Sequence, residues 1–312
     1  MSDYTVLITA RSFAGSNPRP LALLEKAGCA VIRPRDEDER RRLLPGVDGV
    51  IAGLESYDAG MLERAEKLKV ISRYGVGCDA IDLEAARARG VKVAYTPGAN
   101  SESVADLAVA LMLAAARHVP YMDALIKKSV LDRPPGLEMW RKTLGVIGTG
   151  RIGKGVMKRA SGFEMRLLCY DSFQDQEAVS KLGGEYACLD TLYAQSDFIT
   201  VHVPLTAETR GMISRAQFKE MKKTAVVVNT ARGGVIDEDA LCEALKTGEI
   251  FAAGLDATVL EPPFGSPLCA LPNCILLPHA GAATLESAHA MGMMAAENLL
   301  AVLETGTCPH LV

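Results

Sequence analysis

The feature that most restricts how this chain can fold is Gly148-Thr-Gly150-Arg-Ile-Gly153, a glycine-rich turn near the middle of 312 residues. Leu144 to Ile147 reads as a short apolar strand and Arg151 to Ala160 as a helix, so the glycines lie where a strand turns directly into a helix. That is the setting in which such a turn holds a dinucleotide pyrophosphate. Gly148 is expected to permit the tight turn, Gly150 to admit close backbone approach, and Gly153 to let the helix pack on the strand. The phosphates would rest on the helix N-terminus, whose free N–H groups and dipole favour anions.

A second strand, Met165 to Tyr170, follows and is closed by Asp171, 18 residues beyond Gly153 (171 − 153). The carboxylate that binds the adenosine ribose is expected about there. It can accept hydrogen bonds from both ribose hydroxyls and would repel the extra phosphate of NADP. Ser172, Phe173 and Gln174 offer no cation to offset that repulsion. The expected cofactor is therefore NAD.

The length suggests about two domains, and 49% hydrophobic residues can fill two cores. A net charge of −4 with five scattered histidines lacks the basic footprint of a nucleic-acid binder. The eight cysteines form no CxxC pair, no metal site is expected, and they read as reduced core residues of a cytoplasmic protein. Met1 to Ala10 lacks a basic segment followed by an apolar one, so no signal peptide is expected. The most apolar stretch, Val104 to Ala116, is shorter than a membrane span and contains Asp106, so no membrane partner is expected either.

Strand and helix alternate twice. The first series is Val6 to Thr9, helix near Leu21 to Ala27, Ala30 to Ile32, Gly49 to Ala52, helix Ala59 to Leu68, Val70 to Ser72, helix Leu83 to Arg89 and Val91 to Ala94. The second has strands near 144–147, 165–170, 198–203, 225–229, 251–255 and 274–277. Alternation of this kind implies parallel sheets covered by helices, here two doubly wound units. A final helix, Leu285 to Leu303, has no strand after it and is expected to return to the first unit. The central glycine turn then opens an inserted domain, with two crossings as hinges of a cleft. The mixed-charge run Asp36 to Arg42 reads as a solvated helix face, and Arg133 to Gly136 as a loop ahead of Trp140.

Polar residues collect after the strands of the second series: His202-Val-Pro204, Asn229-Thr-Ala-Arg232-Gly-Gly, Asp256, Glu261 and Pro278-His279. Open parallel sheets bind ligands at the C-terminal ends of their strands, so these ends converge on one crevice. His202, at such an end, suits a backbone contact to cofactor and is given no proton-transfer role.

Six blocks in order carry a resemblance over nearly the whole chain. They are Arg73-Tyr-Gly-Val-Gly-Cys-Asp-Ala-Ile-Asp82, Thr96 to Asp106, Leu144 to Gly153, His202-Val-Pro-Leu-Thr206, Asn229-Thr-Ala-Arg-Gly-Gly234 and Pro278-His-Ala-Gly-Ala-Ala-Thr284. The chain resembles the D-isomer-specific 2-hydroxyacid dehydrogenases, and within them the 3-phosphoglycerate dehydrogenase branch. The resemblance implies a flavodoxin-like substrate domain from 1–98 and 285–312, an inserted Rossmann NAD-binding domain over 99–284, and a homodimer through the latter. The apolar helix Asn100 to Arg117 agrees with a dimer, since a single domain rarely buries every face of such a helix.

It also implies Arg232, Glu261 and His279 as the catalytic residues. A histidine can take the hydroxyl proton near neutral pH as a hydride leaves C2. A carboxylate beside it favours the imidazolium and orients the ring. A guanidinium can hold the substrate carboxylate bidentately. By the same resemblance the Val76 and Gly77 amides bind that carboxylate, and Arg73 reaches an anionic tail, with a structural strand-end cation as the competing reading. Cofactor contacts are implied at Arg151 and Ile152 for the pyrophosphate, and at Pro204, Thr206, Thr230, Ala231, Asp256 and Ala282 around the nicotinamide. A turn cap is the competing role for Asp256.

Two departures stand out. Where phosphoglycerate enzymes often carry an arginine after the third strand, this loop reads Ala52-Gly-Leu-Glu55-Ser, and Arg11 after the first strand is the expected replacement. The chain also ends at Val312 without the regulatory extension of longer phosphoglycerate enzymes, so serine feedback is not expected. The expected substrate is 3-phosphoglycerate or a related anionic small acid. A formate-dehydrogenase-like enzyme is disfavoured by Glu261 in place of glutamine, and an NAD-sensing corepressor-type protein by the complete Arg-Glu-His set.

Overall fold

The computed structural model describes residues 4–312, so Met1 to Asp3, part of the segment in which no signal peptide is expected, lie outside the described residues. The chain forms two compact units, one running to Asn100 and resuming over Ala282–Val312, the other Ser101–Gly281. The second unit begins two residues and ends three residues inside the expected 99–284. Ala282 thus belongs with the first unit, next to Thr284, which caps the helix Leu285–Thr305 by accepting from the Ser287 N–H.

In the first unit, strands β1 (Thr5–Ile8), β2 (Ala30–Ile32), β3 (Gly49–Ala52), β4 (Val70–Arg73) and β5 (Lys92–Ala94) make one parallel sheet of order β2-β1-β3-β4-β5. This is the flavodoxin-like order. β3 reads as an unbroken apolar run because both faces of the sheet are covered, whereas β4 ends in the buried polar residues Ser72 and Arg73. Helices Arg19–Lys26 and Leu285–Thr305 close one face through Leu24, Met291, Ala295 and Leu299. Helices Glu37–Leu43, Ala59–Arg64 and Leu83–Ala88 lie on the other with Leu62, Met61 and Ala86.

The three helices on that second face start at aspartates, Asp36, Asp58 and Asp82, which each accept a hydrogen bond from an N–H in the first turn. The helix expected over Ala59 to Leu68 stops at Arg64, because the chain must turn to bury Leu68 ahead of β4. The mixed-charge run forms a helix as expected, yet one of its arginines is not solvated. Arg40 is buried, bonds Glu37 and the Ser56 carbonyl, and stacks over the Tyr57 ring.

The second unit holds a seven-stranded parallel sheet: β6 (Thr143–Ile147), β7 (Arg166–Tyr170), β8 (Gly184–Tyr186), β9 (Phe198–Val201), β10 (Val226–Asn229), β11 (Ala252–Leu255) and β12 (Cys274–Leu276). Its order is β12-β11-β10-β9-β6-β7-β8, a Rossmann arrangement whose connections reverse direction between β6 and β9. β8 was not expected, since three residues at a sheet edge are too few to show a period.

Helix Ser101–Ala116 packs with Arg151–Ala160 on one face of this sheet through Ala105, Leu111, Met112, Val156 and Met157. Helices Leu189–Gln195, Arg215–Glu220 and Glu238–Thr247 close the other. The outer side of the first helix and the segment after it expose Leu113, Val119, Ile126, Leu131 and Trp140. Among the described residues no single helix is long and apolar enough to cross a membrane.

Candidate active site

The three glycines of the turn after β6 do different things. Gly148 has φ +97°, and a Cβ on it would meet the His202 carbonyl carbon at 2.7 Å, so the turn needs glycine for conformation and for space. A Cβ on Gly153 would come within 2.0 Å of the Gly148 carbonyl oxygen, which is how the helix reaches the strand. Gly150 has nothing within 4 Å of such a Cβ and stands as the exposed N-cap of helix Arg151–Ala160. Open space at a helix N-terminus suits a pyrophosphate. Arg151 is exposed and Ile152 half-buried in the first turn.

Asp171 follows β7 and is tied to the glycine turn. One oxygen accepts from the Thr149 N–H at 2.6 Å and the Thr149 hydroxyl at 3.1 Å, and the other accepts from the Phe173 N–H at 2.9 Å. Thr149 also bonds the Tyr186 hydroxyl of β8 at 2.7 Å. A carboxylate oxygen has two lone pairs, so the Phe173-bonded oxygen keeps one for a ribose hydroxyl. The turn and the carboxylate thus form one rigid piece.

Arg232 sits in the loop after β10, held by Asn229, whose side chain accepts from the Ala231 N–H at 2.9 Å and donates to the Arg232 carbonyl at 2.8 Å. A Cβ on the next residue, Gly233, would lie 2.1 Å from the Thr258 carbonyl oxygen, so this loop packs directly on the loop after β11. That second loop carries Glu261. Nδ1 of His279 lies 2.8 Å from Oε2 and 3.0 Å from Oε1 of Glu261. Burial pushes the Glu261 carboxyl up, but the His279 hydrogen bond and charge, the Thr258 N–H and the Arg232 guanidinium outweigh it and hold the group below the usual carboxylate range.

His279 itself has a left-handed backbone, φ +56°, uncommon for a residue with a Cβ. Asp256, buried at the end of β11, holds that conformation: its two oxygens accept from the Ala280 N–H at 2.6 Å and the Gly281 N–H at 2.7 Å. The turn-cap role is therefore present, and each oxygen retains a lone pair for a further donor.

His202 lies between two hydroxyls, Nε2 at 2.9 Å from Thr200 Oγ1 and Nδ1 at 3.5 Å from Thr230 Oγ1. Burial pushes its imidazole down to about 3, so the ring is neutral at physiological pH. Pro204 and Thr206 belong to one tight loop, in which the Thr209 hydroxyl donates to the Pro204 carbonyl at 2.6 Å and accepts from the Thr206 N–H at 2.8 Å. Thr230 is buried and Ala231 half-buried at the β10 end.

The remaining expected residues, Arg11, Arg73, Val76, Gly77 and Ala282, lie in the first unit. Arg73 is buried, and its guanidinium donates to the carbonyls of Gly77 at 2.9 Å, Ala52 at 3.4 Å and Tyr74. It shapes the β4 loop whose Val76 is 40% exposed. Arg11 is exposed after β1, and Ala282 packs against the core under Leu285–Thr305.

Residues that sequence reasoning passed over are Thr149, Asn229 and Thr258, each holding a functional side chain in place. Thr149 and Asn229 stood inside quoted blocks, whereas Thr258 left no signal. Together the open N-terminus at Gly150, the strand-end carboxylate Asp171 and the neutral polar ends at His202 and Thr230 fit an NAD molecule.

The family model for the D-isomer specific 2-hydroxyacid dehydrogenase NAD binding domain matches residues 109–281. D-3-phosphoglycerate dehydrogenase of Methanocaldococcus jannaschii is 50% identical over 246 residues, 78% of this chain and 47% of that protein. The chain therefore spans about half the length of that relative. Glyoxylate reductase of Thermococcus litoralis is 43% identical over 83% of this chain and 81% of its own. Among solved structures, the TT0316 protein of Thermus thermophilus superposes with a TM-score of 0.90 at 38% identity, covering 99% of both chains.

Proposed function

The chain belongs to the D-isomer specific 2-hydroxyacid dehydrogenase family, and from that premise we propose that it interconverts a small D-2-hydroxy acid and its 2-oxo acid with NAD as the redox partner. The observation that carries this is the His279–Glu261 pair, 2.8 Å apart, beside the Arg232 loop. NAD, when bound, supplies or accepts the hydride at C2. His279 handles the matching proton. Its Nδ1 is held by Glu261, so Nε2 is the atom that takes the hydroxyl proton in oxidation and returns it to the C2 oxygen in reduction. Glu261 balances the imidazolium charge formed in between. Arg232 binds the substrate carboxylate and polarises the C2 oxygen.

The second unit is read as the NAD-binding domain, with Gly148 to Gly153 and Arg151 and Ile152 at the pyrophosphate and Asp171 at the ribose. Pro204, Thr206, Thr230, Ala231 and Asp256 complete its contacts. The first is read as the substrate domain, its Val76 and Gly77 amides taking the carboxylate. Its tail preference divides the candidates: a phosphorylated acid such as 3-phosphoglycerate, with Arg73 or Arg11 at the phosphate, or a short unsubstituted acid. The exposed apolar residues around Val119, Ile126, Leu131 and Trp140 support a homodimer through the second unit.

The test is oxidation of NADH against a panel of 2-oxo acids: glyoxylate, pyruvate, hydroxypyruvate and 3-phosphohydroxypyruvate. Turnover of at least one supports the reading. A folded protein that binds NAD and turns over none of them overturns it in favour of the corepressor-type alternative.

A further inference from the structure

The loop after β11 carries Glu261, and its apolar side chains do little to hold it. Val259 is 68% and Leu260 61% exposed, and Phe264 is exposed as well. Segments with few buried apolar contacts lie at the low-stability end of a fold, so the place of Glu261 depends on polar ties. Thr258 makes two: its hydroxyl donates to the Leu260 carbonyl at 2.8 Å and its N–H to Glu261 Oε1 at 3.3 Å. Both lie within the loop and cannot fix it against the rest of the unit.

A tie from outside the loop comes from Glu238, whose Oε1 accepts from the Val259 N–H at 2.6 Å. Glu238 opens the helix Glu238–Thr247, which is itself firmly seated. Its N-cap Asp237 accepts from the Asp239 and Ala240 N–H groups at 3.1 and 3.0 Å, and Ala240, Leu241, Ala244 and Leu245 are buried. The Arg232 loop runs straight into this helix through the buried Val235 and Ile236. A Cβ on Gly233 of that loop would lie 2.1 Å from the Thr258 carbonyl oxygen. The Arg232 and Glu261 loops therefore meet at two adjacent residues, at Thr258 by main-chain contact and at Val259 through Glu238. The carboxylate is held there against opposition: burial pushes Glu238 up, the Val259 N–H counters it, and the Asp239 and Glu261 carboxylates add to the rise. What it gains in that place is a charge-assisted hydrogen bond to the main chain.

We infer that Glu238 is a positioning residue of the reaction, its side chain setting the Glu261 loop in register with the Arg232 loop. The inference rests on the dehydrogenase activity proposed above and adds a residue to that same site. Glu238 acts through Val259 on Glu261, and through Glu261 on the ring of His279. The group that moves the proton and the group that holds the substrate carboxylate then keep one geometry. Misplacing a catalytic group by about 1 Å from a distance costs about 10²-fold in rate, so a single hydrogen bond at the base of the loop is enough to matter.

The experiment measures NADH-dependent reduction of the 2-oxo acids named above by Glu238→Ala, Glu238→Asp and Glu238→Gln. Glutamine keeps an acceptor at the right reach for the Val259 N–H and removes the charge, whereas aspartate keeps the charge and is one methylene short. E238A and E238D should lower kcat by about ten- to a hundredfold with NADH affinity by fluorescence titration unchanged. E238Q should stay within about threefold of the wild type, since a neutral acceptor still bonds the N–H. If E238A does not fold, the contrast between E238D and E238Q carries the same information. In a protein already bearing Glu261→Gln, E238D should have little further effect, because the residue it acts through is already changed. Wild-type kcat in E238D, a loss in E238Q as large as in E238D, or a full loss repeated in the E261Q protein overturns the inference and leaves the dehydrogenase reading standing. Absence of turnover with every 2-oxo acid in the wild type removes that reading and this inference with it.

Discussion

Both carboxylate oxygens of Glu261 close on one ring nitrogen of His279, Nδ1, at 2.8 and 3.0 Å. The ring is thereby oriented, and its second nitrogen is left for the proposed proton exchange.

Replacing that ring should separate chemistry from cofactor binding. His279→Ala is expected to lower kcat by about 10²- to 10⁴-fold, the usual contribution of a positioned general acid–base. NAD affinity by fluorescence titration should be unchanged. Residual activity near wild type removes the proton-transfer role.

The lowered Glu261 carboxyl sets a pH dependence. A carboxyl depressed in the folded state contributes stability above its ordinary value and loses it as pH falls through the lowered one. Glu261→Gln removes the titrating group, so the fall in Tm as pH drops below the ordinary carboxyl value should be shallower than in the wild type. Calorimetry between pH 7 and 3 would show it, and identical pH slopes in the two proteins contradict it.

Burial brings the His202 imidazole down from 6.5 to about 3, which has the opposite origin and a separate readout. Between those values the unfolded chain binds a proton the folded one does not, so stability rises with pH. His202→Asn should flatten the fall in Tm between pH 7 and 4. A slope as steep as wild type would rule out His202 as its source.

The glycine turn separates folding from binding. Gly153→Ala puts a methyl group 2.0 Å from the Gly148 oxygen and should cost about 1–3 kcal/mol of stability as overpacking does. Gly150→Ala meets nothing within 4 Å and should leave Tm alone while weakening NAD. Calorimetry with and without NAD distinguishes the two, and an unaltered NAD affinity in G150A removes the pyrophosphate from that position.

Asp171→Asn keeps acceptors for Thr149 and lifts the charge that opposes a 2′-phosphate. The ratio of NADP to NAD efficiency should rise about tenfold, the loss of roughly one charge-assisted hydrogen bond. An unchanged ratio would mean that another group selects the cofactor.

Much of this was legible because the informative residues stand at strand ends. Asp171, His202, Arg232, Asp256 and His279 each follow a short apolar run, and in a parallel sheet such positions share one edge. What stayed hidden depends on contacts between distant segments. Nothing in the sequence near Asp171 shows that it binds Thr149, 22 residues earlier. Glu55 looked like a stray negative charge, and only the fold shows Thr9, Gly53 and Tyr57 gathered on it. Arg73 was read either at an anionic tail or as a structural strand-end cation, and the sequence does not show that its buried guanidinium donates to the Ala52, Tyr74 and Gly77 carbonyls.

Asp256 grips the two peptide N–H groups that follow His279, so the address of the proposed proton carrier is written into the main chain and not into its own side chain. Another unbranched residue that tolerates φ +56° would be delivered to the same spot. The proposed acid–base group is in that sense a replaceable fitting in a fixed socket, and substitution at that one position retunes its proton affinity while the surrounding fold stays as it is.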